Sequence, residues 1–198
     1  MDKLARVHIF GASGSGSTTL GRALAISLGI MHIDVDDHYW KQTDPPFREK
    51  NVPSDRVRSI KETIGSEEQW VLTGSLVSWG ERLVSECTLG VFLHLDSSER
   101  MSRLRQREHQ RHGDRIAPNG DMYESHLEFM QWAQAYDVAT SGIRCRQVHV
   151  DWMAGLSFPV VVLRSDKPPE ELLVDVVHAD AQQKVYGPLP QVETKIFS

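Results

Sequence analysis

The chain has 198 residues, 40% of them hydrophobic and 25% charged, a globular balance long enough for one domain with its own core. Its 22 basic and 27 acidic residues leave a formal charge of −5, which argues against a general nucleic-acid binder and leaves open only a local basic patch. Two cysteines, Cys87 and Cys145, cannot staple a disulfide scaffold. The apolar run Val7-His8-Ile9-Phe10 is too short for a signal peptide, and no stretch nears the ~20 apolar residues of a bilayer span, so a cytoplasmic protein without membrane contact is expected.

In chain order, Val7 to Phe10 reads as a short buried strand, followed at once by a Gly/Ser loop and a helix over TTLGRALAISLG. Leu20, Leu24, Ile26 and Leu28 form its imperfect apolar stripe, and Gly29 stops it. Met31 to Ile33 is a second strand that runs into the acidic stretch Asp34-Val35-Asp36-Asp37. The prolines of Thr43-Asp44-Pro45-Pro46 make a loop. Ser54 is expected to cap a helix reaching about Ile64. Trp70 to Thr73 and Gly90 to Leu95 are the third and fourth strands. A basic helix starts at Asp96 or Ser97 and runs to about Arg111; Gly113 to Gly120 is a polar loop. Helical stretches follow over about 122–139 and 143–156, then a fifth strand from Pro159 to Leu163. A last helix covers Glu170 to about Ala179, and 181–198 is expected to be a flexible tail.

Short apolar strands alternating with helices predict an α/β fold, a parallel sheet covered on both faces. Ligands then sit beyond the carboxyl ends of the strands, so the informative loops begin at Gly11, Asp34, Thr73, Asp96 and Arg164. The first of them, Gly11-Ala12-Ser13-Gly14-Ser15-Gly16-Ser17-Thr18, has the spacing of a phosphate-binding P-loop, G-x-x-x-x-G-K-[ST], with Ser17 where lysine is expected. Its glycines let amides turn around a phosphate at a helix N-terminus, Thr18 holds the Mg²⁺-ligating hydroxyl position, and Thr19 follows into the helix. Without the lysine, either another cation reaches in or catalysis is weak. The rival reading is a dinucleotide-binding turn of an NAD(P)-dependent oxidoreductase, with Gly11, Gly14 and Gly16 as a loose fingerprint and Asp34 as the ribose acid. Against it, Thr19 stands at the last glycine position.

With the stretch HIDVDDHYW, the segment WVLTGSL and the run VFLHLDSSERMSRLRQRE, the loop resembles the nucleoside monophosphate kinase group of P-loop proteins, which includes adenylate kinase and shikimate kinase. It looks closest to an adenylate-kinase-like bacterial subset with Ser or Thr at the lysine position. The resemblance covers about residues 5 to 180. It implies a three-layer P-loop domain over 1–180, with a five-stranded parallel sheet in the order 2-3-1-4-5, a helical lid at about 108–125, ATP and Mg²⁺ as cofactors, and a pocket for a small-molecule phosphate acceptor.

The same resemblance assigns roles. Asp34 would hold Mg²⁺ through water, and Asp36 would bind the acceptor hydroxyl and take its proton. An extended chain would point the two the same way. Arg56 is the first choice for an acceptor anion, Gly74 and Ser75 form an acceptor-cradling turn, and Trp40 either walls the substrate or packs in the core. Arg103 and Arg107 match the family pattern R-L-x-x-R at the root of the lid, with Arg111 and Arg115 on or near the lid itself. One or two of these arginines, Arg107 and Arg115 first, would supply the charge absent at Ser17. The expected function is an ATP-dependent phosphotransferase. The alternatives are a nucleotide-binding sensor or partner-binding module without catalysis, and the oxidoreductase.

Overall fold

A computed structural model describes residues 5–182. The expected tail lies outside the described residues except for its first two positions, which belong to the last helix. Five parallel strands, β1 (Arg6–Gly11), β2 (Met31–Asp34), β3 (Trp70–Thr73), β4 (Leu89–His94) and β5 (Val160–Arg164), make one sheet in the order β2-β3-β1-β4-β5. This is the expected order. A dinucleotide-binding sheet interleaves its strands as 3-2-1-4-5, so the topology overturns the oxidoreductase reading.

Alternation along the strands builds two cores. Val7, Ile9, Val71, Val91 and Val161 face Leu20 and Leu24 of α1 (Ser17–Leu28) and Leu172 and Val176 of α8 (Pro169–Gln182). Phe10, Ile33, Leu72, Phe92 and Val160 face the other way. They meet Ile60 of α3 (Pro53–Ile64), Leu83 of α4 (Glu81–Val84) and Met153 of α7 (Arg146–Ala154). Neither face of the sheet can be left to water when both carry branched and aromatic side chains, so helices cover both. A smaller cluster of Met101, Leu104 and Ala133 joins α5 (Ser97–His112) to α6 (Tyr123–Gln134).

Four local expectations change. The acidic run does not stay extended: Asp34 ends β2 and its Oδ1 accepts the Asp36 amide at 3.1 Å, capping the short helix α2 (Val35–Tyr39). Ser54 is not the cap of α3, because Pro53 already occupies the first turn, where its missing N–H costs nothing, and Val52 precedes it. In α1 only Leu20 and Leu24 of the apolar stripe are buried; Ile26 is 82% exposed, since two residues beyond Leu24 is the opposite side of a helix. The stretch 143–156 is helical only from Arg146, because Gly142 turns at φ 80° and Cys145 is still extended.

Candidate active site

The strand ends converge on a cleft of about 600 Å³ lined by residues 11–20, by Asp34, Asp36, Gly74 and Ser75, by Arg103, Arg107, Arg111 and Arg144, and by the loop Ser165 to Pro169. Gly11, Ser13, Gly14, Ser15, Gly16, Ser17, Thr18 and Thr19 are thus all on its wall.

The loop is a cradle by construction. Gly14 and Gly16 sit at φ 84° and 93°, a backbone that L side chains rarely adopt. A Cβ at Gly14 would meet the Arg100 carbonyl oxygen and Leu104 Cγ at 2.9 Å, so α5 is seated against the loop. Helix α1 begins after Gly16 with no side-chain cap, which leaves its first-turn amides turned to the cleft. Ser15 Oγ is buried and unpartnered. Orphan donors at a positive helix end suit an anion with several acceptor oxygens. Thr18 Oγ1 donates to Asp34 Oδ2 at 2.9 Å, a hydroxyl and a carboxylate side by side. Among the described residues no group of three or more His, Cys, Asp or Glu could hold a metal. The Thr18–Asp34 pair offers oxygens of the kind Mg²⁺ takes, phosphate and water completing the shell of that ion.

Asp36 projects from α2 into the same cleft. Burial pushes its pKa up, and the neighbouring Asp34 adds to this, while Arg144 and Arg107 oppose it. Gly74, at φ 107°, brings the end of β3 close enough that a Cβ would lie 2.3 Å from Val35 Cγ2, so the turn and α2 are packed backbone to side chain. Its carbonyl accepts from His8 Nε2 at 2.8 Å. Ser75 Oγ lies 3.2 Å from His149 Nε2, whose Nδ1 is 2.6 Å from the Tyr136 hydroxyl. Burial lowers the His149 pKa to about 3, so this imidazole is a neutral prop for Ser75 and cannot act as a base near neutral pH.

The arginines divide. Arg103 and Arg107 line the cleft and are braced by Glu99 at 2.6 Å and by Glu108 at 3.0 Å. Arg100 is 1% exposed and bound to Asp137 at 2.5 Å. The structure does not bring Arg115 to the cleft: it pairs with Asp44 and Asp121, each at 2.6 Å, and straps the 3₁₀ turn Gly113–Ile116 to the segment after α2. Arg48 donates to the Asp121 carbonyl at 3.1 Å beside it. Arg56 and Trp40 are also not among the lining residues. Arg56 is buried, its guanidinium 3.7 Å from the Tyr39 ring centroid and its Nε 2.6 Å from the Asn51 carbonyl. Trp40 is half-buried and packs edge-on to Tyr39 and to the exposed Phe47, outside both cores of the sheet.

One lining residue was not singled out from the sequence. Arg144 stands before α7, and one of its terminal nitrogens donates to Ser13 Oγ at 3.0 Å. An arginine two residues from another in SGIRCRQVHV carries no periodic signal, and only the folding of α7 under the sheet brings Arg144 to the P-loop.

A parallel sheet in this order, with an amide cradle at the end of its first strand and a carboxylate facing it, defines a P-loop nucleotide-binding protein. Residues 7–124 match a family model described as AAA domain, and the chain belongs to that family. The Bacillus subtilis (strain 168) protein YqaC is 39% identical over 160 residues, covering 81% of this chain and 88% of its own. In fold the chain is similar to shikimate kinase from Bacteroides thetaiotaomicron, with a TM-score of 0.56 at 16% identity over 89% of this chain and 98% of that one. A gluconokinase from Sinorhizobium meliloti gives 0.50 at 18% identity, over 90% and 92%. Among the described residues no helix is long and apolar enough to cross a membrane.

Proposed function

We propose that the protein is a Mg²⁺- and ATP-dependent phosphotransferase acting on a small acceptor that bears a hydroxyl or phosphate group. The observation that carries this reading is the placement of Asp36 across one cleft from the P-loop, with the Thr18–Asp34 pair between strand ends. Bound Mg²⁺-ATP supplies the electrophilic terminal phosphoryl group. The loop amides from Gly14 to Thr19 hold its anionic end, and Thr18 and Asp34 hold the cation. Asp36 accepts the proton of the acceptor hydroxyl; its raised pKa makes it a stronger base than a free aspartate. Arg103 and Arg107 offset the charge that spreads over the transferring group. Ser165 to Pro169 wall the far end of the cleft, where the nucleoside base would rest. The gluconokinase and the shikimate kinase of similar fold support this class of chemistry and leave the acceptor undefined.

The neutral Ser17 favours a second reading, a module that binds nucleotide and turns it over little. Mixing the protein with Mg²⁺-ATP and a panel of sugars, hydroxy acids and nucleoside monophosphates separates the two. Acceptor-dependent ADP release is the expected result. Tight ATP binding with no release across the panel supports the module instead.

A further inference from the structure

The P-loop departs from its pattern at one position, and the missing atom is a cation at the outer phosphates. Of the basic side chains on the cleft wall, Arg103 and Arg107 already have carboxylate partners, Lys167 pairs with Asp175 at 3.2 Å, and Arg22 and Arg111 are exposed, where solvent screens them. Arg144 differs in three ways. It touches the P-loop itself, through the 3.0 Å bond to Ser13 Oγ. Its Nε is buried and has no partner, a costly state for a charged donor unless an acceptor is brought to it. It also stacks on an indole, its Cζ lying 4.8 Å from the centroid of the Trp132 ring. The head group therefore lies against the phosphate cradle, on the wall of the cleft that also carries Asp36.

We infer that Arg144, reaching in from the segment before α7, replaces the P-loop lysine and grips the outer phosphates of the nucleotide. The inference rests on the phosphotransferase reading for its ligand and goes beyond it by moving the missing charge from the lid to the segment under α7. A planar guanidinium offers two parallel donors to a phosphate, and phosphate oxygens accept more strongly than the Ser13 hydroxyl. No lid closure is needed to place this charge.

The test is calorimetric binding of Mg²⁺-ATP, Mg²⁺-ADP and adenosine to the full chain and to Arg144→Gln, Arg144→Lys, Ser17→Lys and the Ser17→Lys/Arg144→Gln double variant, with unliganded melting curves as a fold control. Arg144→Gln keeps a donor for Ser13 and loses the charge. It should weaken ATP binding about 10- to 100-fold, as expected for loss of a charged hydrogen bond, weaken ADP binding less, and leave adenosine unchanged. The double variant should recover most of the loss, because a lysine at 17 reaches the same phosphates. If Arg144→Gln does not fold, Arg144→Lys carries the comparison, with a smaller loss of the same ATP-over-ADP sign. Equal affinity in wild type and variant, an equal loss for all three ligands, or no recovery in the double variant overturns the role of Arg144 while the kinase reading stands. Wild-type protein that binds no ATP overturns both.

Discussion

The protein packed around Asp36 and the neighbouring Asp34 carboxylate push its pKa up, so it ionises at higher pH than a free aspartate. Two consequences follow in opposite directions. As a base it works only when deprotonated, so turnover falls as pH drops through this raised value, earlier than an ordinary carboxylate would require. As a stability term the sign reverses. A folded pKa above the unfolded one contributes stability that is present at low pH and lost as pH rises through the folded value. Asp36→Asn should therefore lower kcat by about 10²- to 10⁴-fold, abolish the acid limb of the pH–rate profile, and raise the melting temperature at pH 7. An unchanged kcat would remove Asp36 from the chemistry. His8 and His149 act the other way. Burial lowers their pKa values from 6.5 to about 4 and about 3, so both are neutral in the fold and protonate more readily in the unfolded chain. Their stability is complete above the unfolded value of 6.5 and drains as pH falls toward 4. Urea unfolding at pH 7.5 and pH 4.5, in wild type and His149→Gln, reads this: the midpoint should fall steeply in wild type and less in the variant.

Among the elements, the lid and the helix that carries it have separate duties. Helix α5 presents Arg103 and Arg107 on one face, four residues apart, and both reach the cleft. The 3₁₀ turn after it carries Arg115, whose partners Asp44 and Asp121 are at the surface. Arg107→Ala should lower kcat by about 10²-fold, the usual cost of one donor to developing charge. Arg115→Ala should leave kcat close to wild type and raise KM, because it loosens a strap. Added salt should raise KM in wild type in the same way, since exposed ion pairs are screened. Steady-state kinetics of the two variants, with a salt titration, distinguish these roles; a large kcat loss in Arg115→Ala would return that residue to the site.

The strands, the P-loop and the basic helix were legible because each is written in neighbouring residues: Val7 to Phe10 before a glycine loop, Trp70 to Thr73, Arg103 and Arg107 on one helical face. The cradle glycines were equally plain, since backbone at φ 84° and 93° leaves little choice of residue. What failed was placement in three dimensions. Asp34 to Asp37 reads as a turn or a strand end, yet the Asp34 side chain caps a helix and so sets where Asp36 points. The resemblance points Arg56 at the acceptor, and an aromatic ring at Trp40 suits either a substrate wall or packing, but Tyr39, Trp79 and Phe47 take both into an aromatic cluster. The Arg144–Ser13 and Ser75–His149 contacts each span more than seventy positions of sequence, which local spacing does not record. For the molecule as a whole, the central claim is that a P-loop without its lysine still binds a nucleoside triphosphate through its phosphates. The most direct measurement is calorimetric titration of the wild-type chain with Mg²⁺-ATP, adenosine and NADPH in parallel. The account predicts saturable one-to-one binding of Mg²⁺-ATP, far weaker binding of adenosine, and none of NADPH; ATP bound no more tightly than adenosine, or not at all, would contradict it.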